Sequence, residues 1–370
     1  MARKKRQRRR NGLIEGLNAI LTLLVIVIIL AAGVAIYGVQ RFYADGPGAE
    51  DTTFNVPRGA SLSTIAESLT DQGLVADPWT FRIGTLLNRK QADLKAGEFR
   101  ITAHASMAEI LKEITEGKAV TYNVTIPEGW TSWEAVQRIN AAANLTGEIT
   151  EVPPEGTLLP NTYSFERDQD RQIILDQMEK AMADDLAEVW ASRDPDLPLA
   201  SPEELLTLAS IVEKETGIAS ERPMVAAVFI NRLKKGMRLQ SDPTIIYGIT
   251  QGQGPLGRGL TRSEIDKETP YNTYQIDGLP PGPICNPGID ALKAVANPAE
   301  SDAIYFVAAG ATPDQGHVFA TTLDEHNRNV AAYRRAVAEY EAEQEAAAAA
   351  AEQADQPNAD AAANEAAPEN

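Results

Sequence analysis

The sequence predicts a mixed α+β fold behind a single membrane-spanning helix. An uncharged aliphatic run near the N-terminus is long enough to cross a bilayer as a helix. Beyond it, short β-type segments alternate with amphipathic helical patterns, each bounded by Pro/Gly turns or polar caps. The chain of 370 residues also has room for more than one domain.

The N-terminus predicts a membrane anchor. Residues 1–10 carry seven Lys and Arg and no acid, and residues 19–39 carry no charge at all. Basic residues stay on the cytoplasmic side, so everything after the helix is expected outside the cytoplasm. A cleaved signal peptide is the alternative, but its apolar core is usually only about 7–15 residues long. We predict a basic cytoplasmic segment (1–18), a transmembrane helix (19–40) and a linker (41–53).

Overall charge and cysteine content argue against nucleic-acid binding and against an intramolecular disulfide. A net charge of -18 argues against binding nucleic acid through its phosphates. A lone cysteine, Cys285, cannot form an intramolecular disulfide. It is either a nucleophile or a small buried filler, and the three histidines (His104, His317 and His326) lack the context of a cysteine protease, which favours the filler. The Ala/Glu-rich segment 341–370 has no apolar stripe and is predicted to be a disordered tail.

A short motif occurs twice, seventy positions apart. Val56-Pro57-Arg58-Gly59-Ala60-Ser61 recurs as Ile126-Pro127-Glu128-Gly129-Trp130-Thr131, and each copy precedes a helical pattern. Ser106 begins a third helix, and 95–101 reads as a strand. This β-α-α-β pattern over 54–125 resembles the LysM peptidoglycan-binding module in its turn-then-helix order. A spacer that lifts the next domain off the membrane is the competing interpretation.

The clearest chemical signal is a helix that starts at Ser201-Pro202 and ends before Gly217. At 100° per residue, Glu213 and Glu215 fall on opposite flanks of its apolar stripe. A carboxyl at such an edge is partly desolvated, which raises its pKa and suits a general acid. Taken alone, however, two helical glutamates are most often surface residues that pair with Lys or Arg.

Later segments carry the side chains that a sugar-binding groove needs. Asparagine, glutamine and tyrosine lie on rigid Pro/Gly turns across about 231–288. Aromatic rings cover the apolar faces of sugars, and amides match their hydroxyl and N-acetyl groups.

Residues 54–335 resemble the MltG (YceG-like) family of endolytic murein transglycosylases. The matching stretches are ASIVEKET (209–216), ASER (219–222), VFINRL (228–233), MRLQSDPT (237–244), YNTY (271–274) and GLPPG (278–282). The resemblance implies a catalytic domain over 126–340 and makes Glu215 the catalytic acid, with Glu213 in reserve. The residues hypothesised to bind substrate are Asn231, Gln240, Tyr271, Asn272 and Tyr274, with Asp242 as a support or as a turn cap before Pro243.

The activity that the resemblance implies is cleavage of the MurNAc–GlcNAc β-1,4 bond without water, which leaves 1,6-anhydro-MurNAc ends. It also implies inner-membrane location and peptidoglycan strands as substrate, with peptidoglycan synthases as candidate partners. No cofactor or metal is expected, since the sequence shows no ligand cluster or phosphate loop. Two alternatives stay open: a muramidase that admits water, and a non-catalytic glycan-binding scaffold.

Overall fold

The computed structural model describes residues 12–354 and divides into two compact units. The first runs up to Tyr122 and includes Ser164–Gln169. The second comprises Asn123–Tyr163 and the chain from Asp170 onward. Both helices and strands are present, so the predicted α+β class is confirmed.

The first unit begins with the apolar helix α1 (Gly12–Tyr43), whose stretch Ile14–Tyr43 has a mean hydropathy of 3.1 and no buried residue in its most apolar window. By length and composition this helix can cross a membrane. The predicted basic cytoplasmic segment lies outside the described residues over positions 1–11. The other elements of the unit are β1 (Thr52–Val56), α2 (Leu62–Asp71), α3 (Pro78–Leu87), β2 (Gly97–Ile101) and α4 (Met107–Glu116).

The core of the first unit forms around an antiparallel pair of strands. In β1 and β2, Phe54 lies opposite Phe99, and both rings are fully buried. As predicted, Ser61 caps α2 and Ser106 forms a capping box with Glu109 at the start of α4. These caps satisfy the first backbone N–H groups of each helix, which allows the apolar faces to pack on the strands.

The chain from Thr121 onward is mainly helical, with short strands. Its elements are β3 (Thr121–Thr125), α5 (Ser132–Asn140), β4 (Leu145–Thr146), β5 (Thr162–Glu166), β6 (Gln169–Asp170), α6 (Gln172–Ala191), α7 (Pro202–Glu215), α8 (Arg222–Lys234), α9 (Asp242–Thr250), α10 (Arg262–Asp266), α11 (Ile289–Ala296), β7 (Tyr305–Ala308), β8 (His317–Ala320) and α12 (Leu323–Ala354). Strands β7 and β8 pair antiparallel, with Phe306 opposite Phe319. Both rings pack against the hydrophobic core of this unit.

Helix α7 is the central element of the second unit. Ser201 caps it and Pro202 is its first residue, as predicted. The eight residues 205–212 are all buried, so the helix is enclosed rather than amphipathic along this stretch. It packs against α8 and α11. The hydroxyls within it bond backward to the backbone: Thr207 to the carbonyl of Glu203, and Ser210 to that of Thr207. A rigid, fully packed helix therefore holds the two glutamates at its C-terminal end.

Two further predictions concern Cys285 and the C-terminus. Cys285 is fully buried, its thiol lies 3.3 Å from the carbonyl oxygen of Ser210, and burial raises its pKa, which fits a filler. Helix α12 continues to Ala354, so residues 341–354 are helical and not disordered as predicted, although the side chains at 341–348 are exposed, as the missing apolar stripe predicts. The remainder of the predicted tail, 355–370, lies outside the described residues.

Candidate active site

Glu215 is the last residue of α7, at the point where the chain leaves the helix. Thr216 is extended and Gly217 follows. The Glu215 carboxyl lines a cavity of about 270 Å³, together with Gly217, Gly310, His317 and Tyr333. The helix thus delivers one carboxyl to an open polar cavity.

A serine that the sequence analysis did not single out holds this carboxyl. The Oγ of Ser241, 1% exposed, donates a hydrogen bond of 2.5 Å to Oε1 of Glu215. Ser241 is itself fixed, because its N–H donates to Oγ1 of Thr273 and its carbonyl accepts from Oγ1 of Thr244. No residue in the described part of the chain donates to Oε2 of Glu215, so this oxygen is available for a proton.

Burial raises the pKa of Glu215, because the surrounding protein penalises its ionised form even though the residue keeps some solvent exposure. The hydrogen bond from Ser241 opposes this effect. The negative charge of Asp242 raises the pKa further, and the charges of His317 and Arg232 lower it. A carboxyl that keeps its proton toward neutral pH can act as a general acid.

His317 enters the site from β8, although its sequence context suggested no role. Its Nδ1 lies 2.8 Å from Oε2 of Glu221, and its backbone N–H donates to Oε1 at 2.7 Å. Desolvation opposes ionisation of Glu221, but hydrogen bonds from His317 and Thr216 lower the pKa of this carboxyl. The contact holds the imidazole of His317 against Glu221 at the edge of the cavity. The signal that could have found this pair is Glu221 itself, within the matched stretch 219–222.

Glu213, the reserve acid, has a different environment. Its Oε1 accepts from Nη2 of Arg222 at 2.9 Å, and its Oε2 accepts from the N–H of Gly288 at 2.9 Å. Desolvation raises the pKa of Glu213 too, against the effects of Gly288 and Arg222. The direction of the pKa change therefore does not separate the two glutamates. Their partners do, because both oxygens of Glu213 are engaged.

The second copy of the repeated turn motif supports this ion pair. Arg222 also donates to Oε2 of Glu128 at 2.8 Å, and Nζ of Lys214 donates to the carbonyl of Gly129 at 3.3 Å. Gly129 has a φ of +75°, which favours glycine at this turn. The motif thus fastens the C-terminal turn of α7 from its Glu213 side.

Three of the predicted binding residues lie close to Ser241 and Glu215. Gln240 is exposed and has a φ of +53°, a strained conformation for this residue that is held by a bond from its N–H to the carbonyl of Thr273. The hydroxyl of Tyr274 donates to Oδ1 of Asp242 at 2.7 Å. Desolvation and Asp242 both raise the pKa of Tyr274. This contact fits a supporting role for Asp242 better than a turn cap.

The structure gives other roles to three further residues that were predicted to bind substrate. Asn272 is fully buried, and its Nδ2 donates to carbonyls of Glu264, Ile265 and Lys267, so it shapes a loop and cannot reach a ligand. Nδ2 of Asn231 is likewise engaged by two backbone carbonyls, of Ser301 and Ala303.

The third of these residues, Tyr271, packs on Tyr247 with ring centroids 5.0 Å apart, and Glu155 is its charged neighbour. Burial and backbone hydrogen bonds thus place Asn272 and the amide of Asn231 in the scaffold of the fold.

A carboxyl whose pKa is raised by burial, at the end of a packed helix and beside a polar cavity, defines the site of a candidate acid–base enzyme. The YceG-like family model matches residues 54–332, and the chain belongs to this family. The chain is 30% identical over 366 residues to the endolytic murein transglycosylase of Streptococcus pneumoniae serotype 2, with 84% of this chain and 64% of that protein covered. It thus spans slightly less than two thirds of that relative.

Two further comparisons give similar results. The endolytic murein transglycosylase of Bacillus subtilis is 27% identical over 308 residues, which cover 74% of this chain and 82% of that protein. A crystal structure of a putative yceG-like protein from Listeria monocytogenes is 30% identical, with a TM-score of 0.45, and the match covers 75% of this chain and 98% of that one.

Proposed function

We propose that this protein is an endolytic peptidoglycan lytic transglycosylase with Glu215 as its general acid and base. The observation that carries the proposal is the environment of Glu215: one oxygen is held by Ser241, the other accepts from no donor among residues 12–354, and burial favours the protonated form. The names of the relatives, endolytic murein transglycosylases, supply the substrate class.

In the proposed reaction, Glu215 protonates the oxygen that bridges MurNAc and GlcNAc as the glycosidic bond breaks. The C6 hydroxyl of the same MurNAc attacks its anomeric carbon and passes its proton to Glu215, which is then ready for another cycle. The product ends are a 1,6-anhydro-MurNAc ring and a free GlcNAc hydroxyl. Because the nucleophile is tethered to the substrate, no water needs activation.

The proposal also covers location and partners. The chain crosses the inner membrane once through α1, with the N-terminus in the cytoplasm and the catalytic domain outside. An anchored enzyme reaches only glycan close to the membrane, which favours nascent strands and would end their elongation. Peptidoglycan synthases, which make these strands, are the partners expected there.

The test is product analysis with the full-length protein in proteoliposomes and purified peptidoglycan strands. Wild type should release fragments with anhydro ends, lighter by one water than hydrolysed ends. Glu215→Gln should lower the cleavage rate by about 10²–10⁴-fold, the usual contribution of a general acid. Glu203→Gln, an exposed position in the first turn of the same helix, is the matched control and should cleave normally.

Each alternative predicts a different result in this assay. Products with hydrolysed ends would identify a muramidase. Binding without cleavage by the wild type would identify a scaffold. An active Glu215→Gln protein would remove Glu215 from the role, and loss of cleavage in a folded Glu213→Gln protein alone would transfer the role to Glu213.

A further inference from the structure

Helix α3 exposes an apolar face that packing within the first unit does not use. Trp79, Ile83, Leu86 and Leu87 are 65%, 53%, 50% and 74% exposed. Their i, i+4, i+7, i+8 spacing places them on one side of the helix, while Phe81 and Thr85 on the other side are buried in the core. A contiguous exposed patch of this kind marks an interaction surface.

The patch lies directly beside α1. Phe42 of α1 is buried against Gly84, where a Cβ atom would come within 2.3 Å of its ring, so glycine permits the close approach of the two helices. An apolar groove of about 520 Å³ is lined by Val34 and Tyr37 from α1 and by the exposed face of α3. The groove is therefore continuous with the anchor helix.

The depth of this groove follows from the length of the anchor. About 20 apolar residues span the hydrocarbon layer, and the uncharged run covers 19–39. Val34 and Tyr37 belong to the outer end of that run, so the α3 side chains that line the same groove lie at the depth of the outer leaflet. Trp79 suits this boundary, since tryptophan is enriched where the bilayer meets water.

Cationic groups border the apolar face. The guanidinium of Arg82 lies 4.8 Å from the centre of the Trp79 ring, and exposed Arg89 follows at the C-terminal end of α3, while the next cation, Lys90, pairs with Glu116 and Asp93. Apolar side chains flanked by arginines match acyl chains below phosphate headgroups.

We infer that α3 is a second membrane-contacting element, whose Trp79–Leu87 face is embedded in the outer leaflet beside α1. The occupant of the groove is lipid. The first unit is thereby seated on the bilayer and does not lift the chain away from it. The inference depends on α1 crossing the membrane and is independent of glycan cleavage.

The test uses nitroxide labels on the full-length protein in proteoliposomes. Single cysteines replace Leu87 on the α3 face, Glu67 on the exposed side of α2, and Ile26 in the middle of α1. Cys285 is fully buried, so the unsubstituted protein serves as the labelling blank. We expect the ratio of oxygen to nickel-chelate collision rates to be several-fold higher at positions 87 and 26 than at position 67, because oxygen concentrates in lipid and the chelate stays in water.

Four results would overturn the inference. Equal ratios at positions 87 and 67 would place α3 in water. Exclusion of both reagents at position 87, with dipolar broadening between labels, would show that a second copy of the chain covers the face. If both reagents are excluded from position 87 only after membrane extract is added, and no dipolar broadening appears, then another protein covers the α3 face. A chelate-accessible Ile26 would instead show that the anchor itself is not in the bilayer.

Discussion

The C-terminal turn of α7 carries a carboxyl on each side, and the two carboxyls differ in how many of their oxygens accept hydrogen bonds from the protein. On one side, Glu213 is 5% exposed in its side chain and both oxygens are bound, by Arg222 and by Gly288. On the other, Glu215 has one oxygen bound by Ser241 and faces a cavity. Burial raises the pKa of both carboxyls.

This difference shows that desolvation alone does not distinguish the proposed catalytic acid from its neighbour. A carboxyl must also keep an oxygen free for the substrate and be held in place by a donor that does not neutralise it. Glu213 satisfies Arg222 and fastens two segments of chain, while Glu215 leaves its second oxygen open. One helix therefore carries one fully engaged glutamate and one with an open oxygen, and we propose that the first serves stability and the second serves chemistry.

The largest expected effect is on stability, at the Glu213 side. Glu213→Ala leaves Arg222 without one of its buried partners, and breaking such a pair costs about 3–5 kcal/mol in the free energy of unfolding. Glu215→Gln is the matched control. Because burial raises the pKa of Glu215 in the folded state, protonated Glu215 stabilises the fold fully at low pH. This stabilisation is lost as the pH rises through the pKa of the folded state.

Denaturant unfolding at several pH values checks this pair of variants. Glu215→Gln should be at least as stable as wild type near neutral pH, and Glu213→Ala should be much less stable. Equal losses in the two variants would mean that the described division between stability and chemistry does not hold.

A smaller effect is expected from Ser241→Ala, which removes the donor to Glu215. A hydrogen bond to a charged group contributes about 1.5–3 kcal/mol. Because this bond lowers the pKa of Glu215, its loss raises that pKa, and the acid stays protonated to higher pH. The alkaline limb of the rate–pH profile should move upward, while the maximal rate falls through poorer positioning. An alkaline limb unchanged from wild type would show that another group controls it.

The smallest effect is expected at Tyr274. Tyr274→Phe removes only the hydroxyl that donates to the carboxylate of Asp242, a bond that contributes about 1.5–3 kcal/mol to stability, and should change cleavage by less than about tenfold because this bond does not involve Glu215. Tyr274→Ala also removes the ring and should raise KM more than it lowers kcat if the ring covers a sugar face. Identical kinetics for the two variants would place the ring outside the groove. Steady-state rates on purified glycan strands distinguish these outcomes.

The local features of the fold were predictable because they depend on short-range chemistry. The caps at Ser61, Ser106 and Ser201 satisfy N–H groups three residues away, so they can be read directly from the sequence. The eight buried residues of α7 could not be predicted from periodicity, because helices from distant parts of the chain enclose it. The same reason explains Asn272, whose amide bonds to carbonyls inside a loop that only the folded chain forms.

By itself, the sequence determined the apolar anchor, the helix that carries two glutamates on opposite flanks, and the polar loops beyond it. Only the tertiary structure decided which glutamate is engaged, because Arg222, Gly288 and Ser241 reach α7 through contacts that are set by the fold. It also brought His317 to the cavity and left the face of α3 exposed beside α1. Side-chain types follow from sequence, but their availability depends on what the fold places around them.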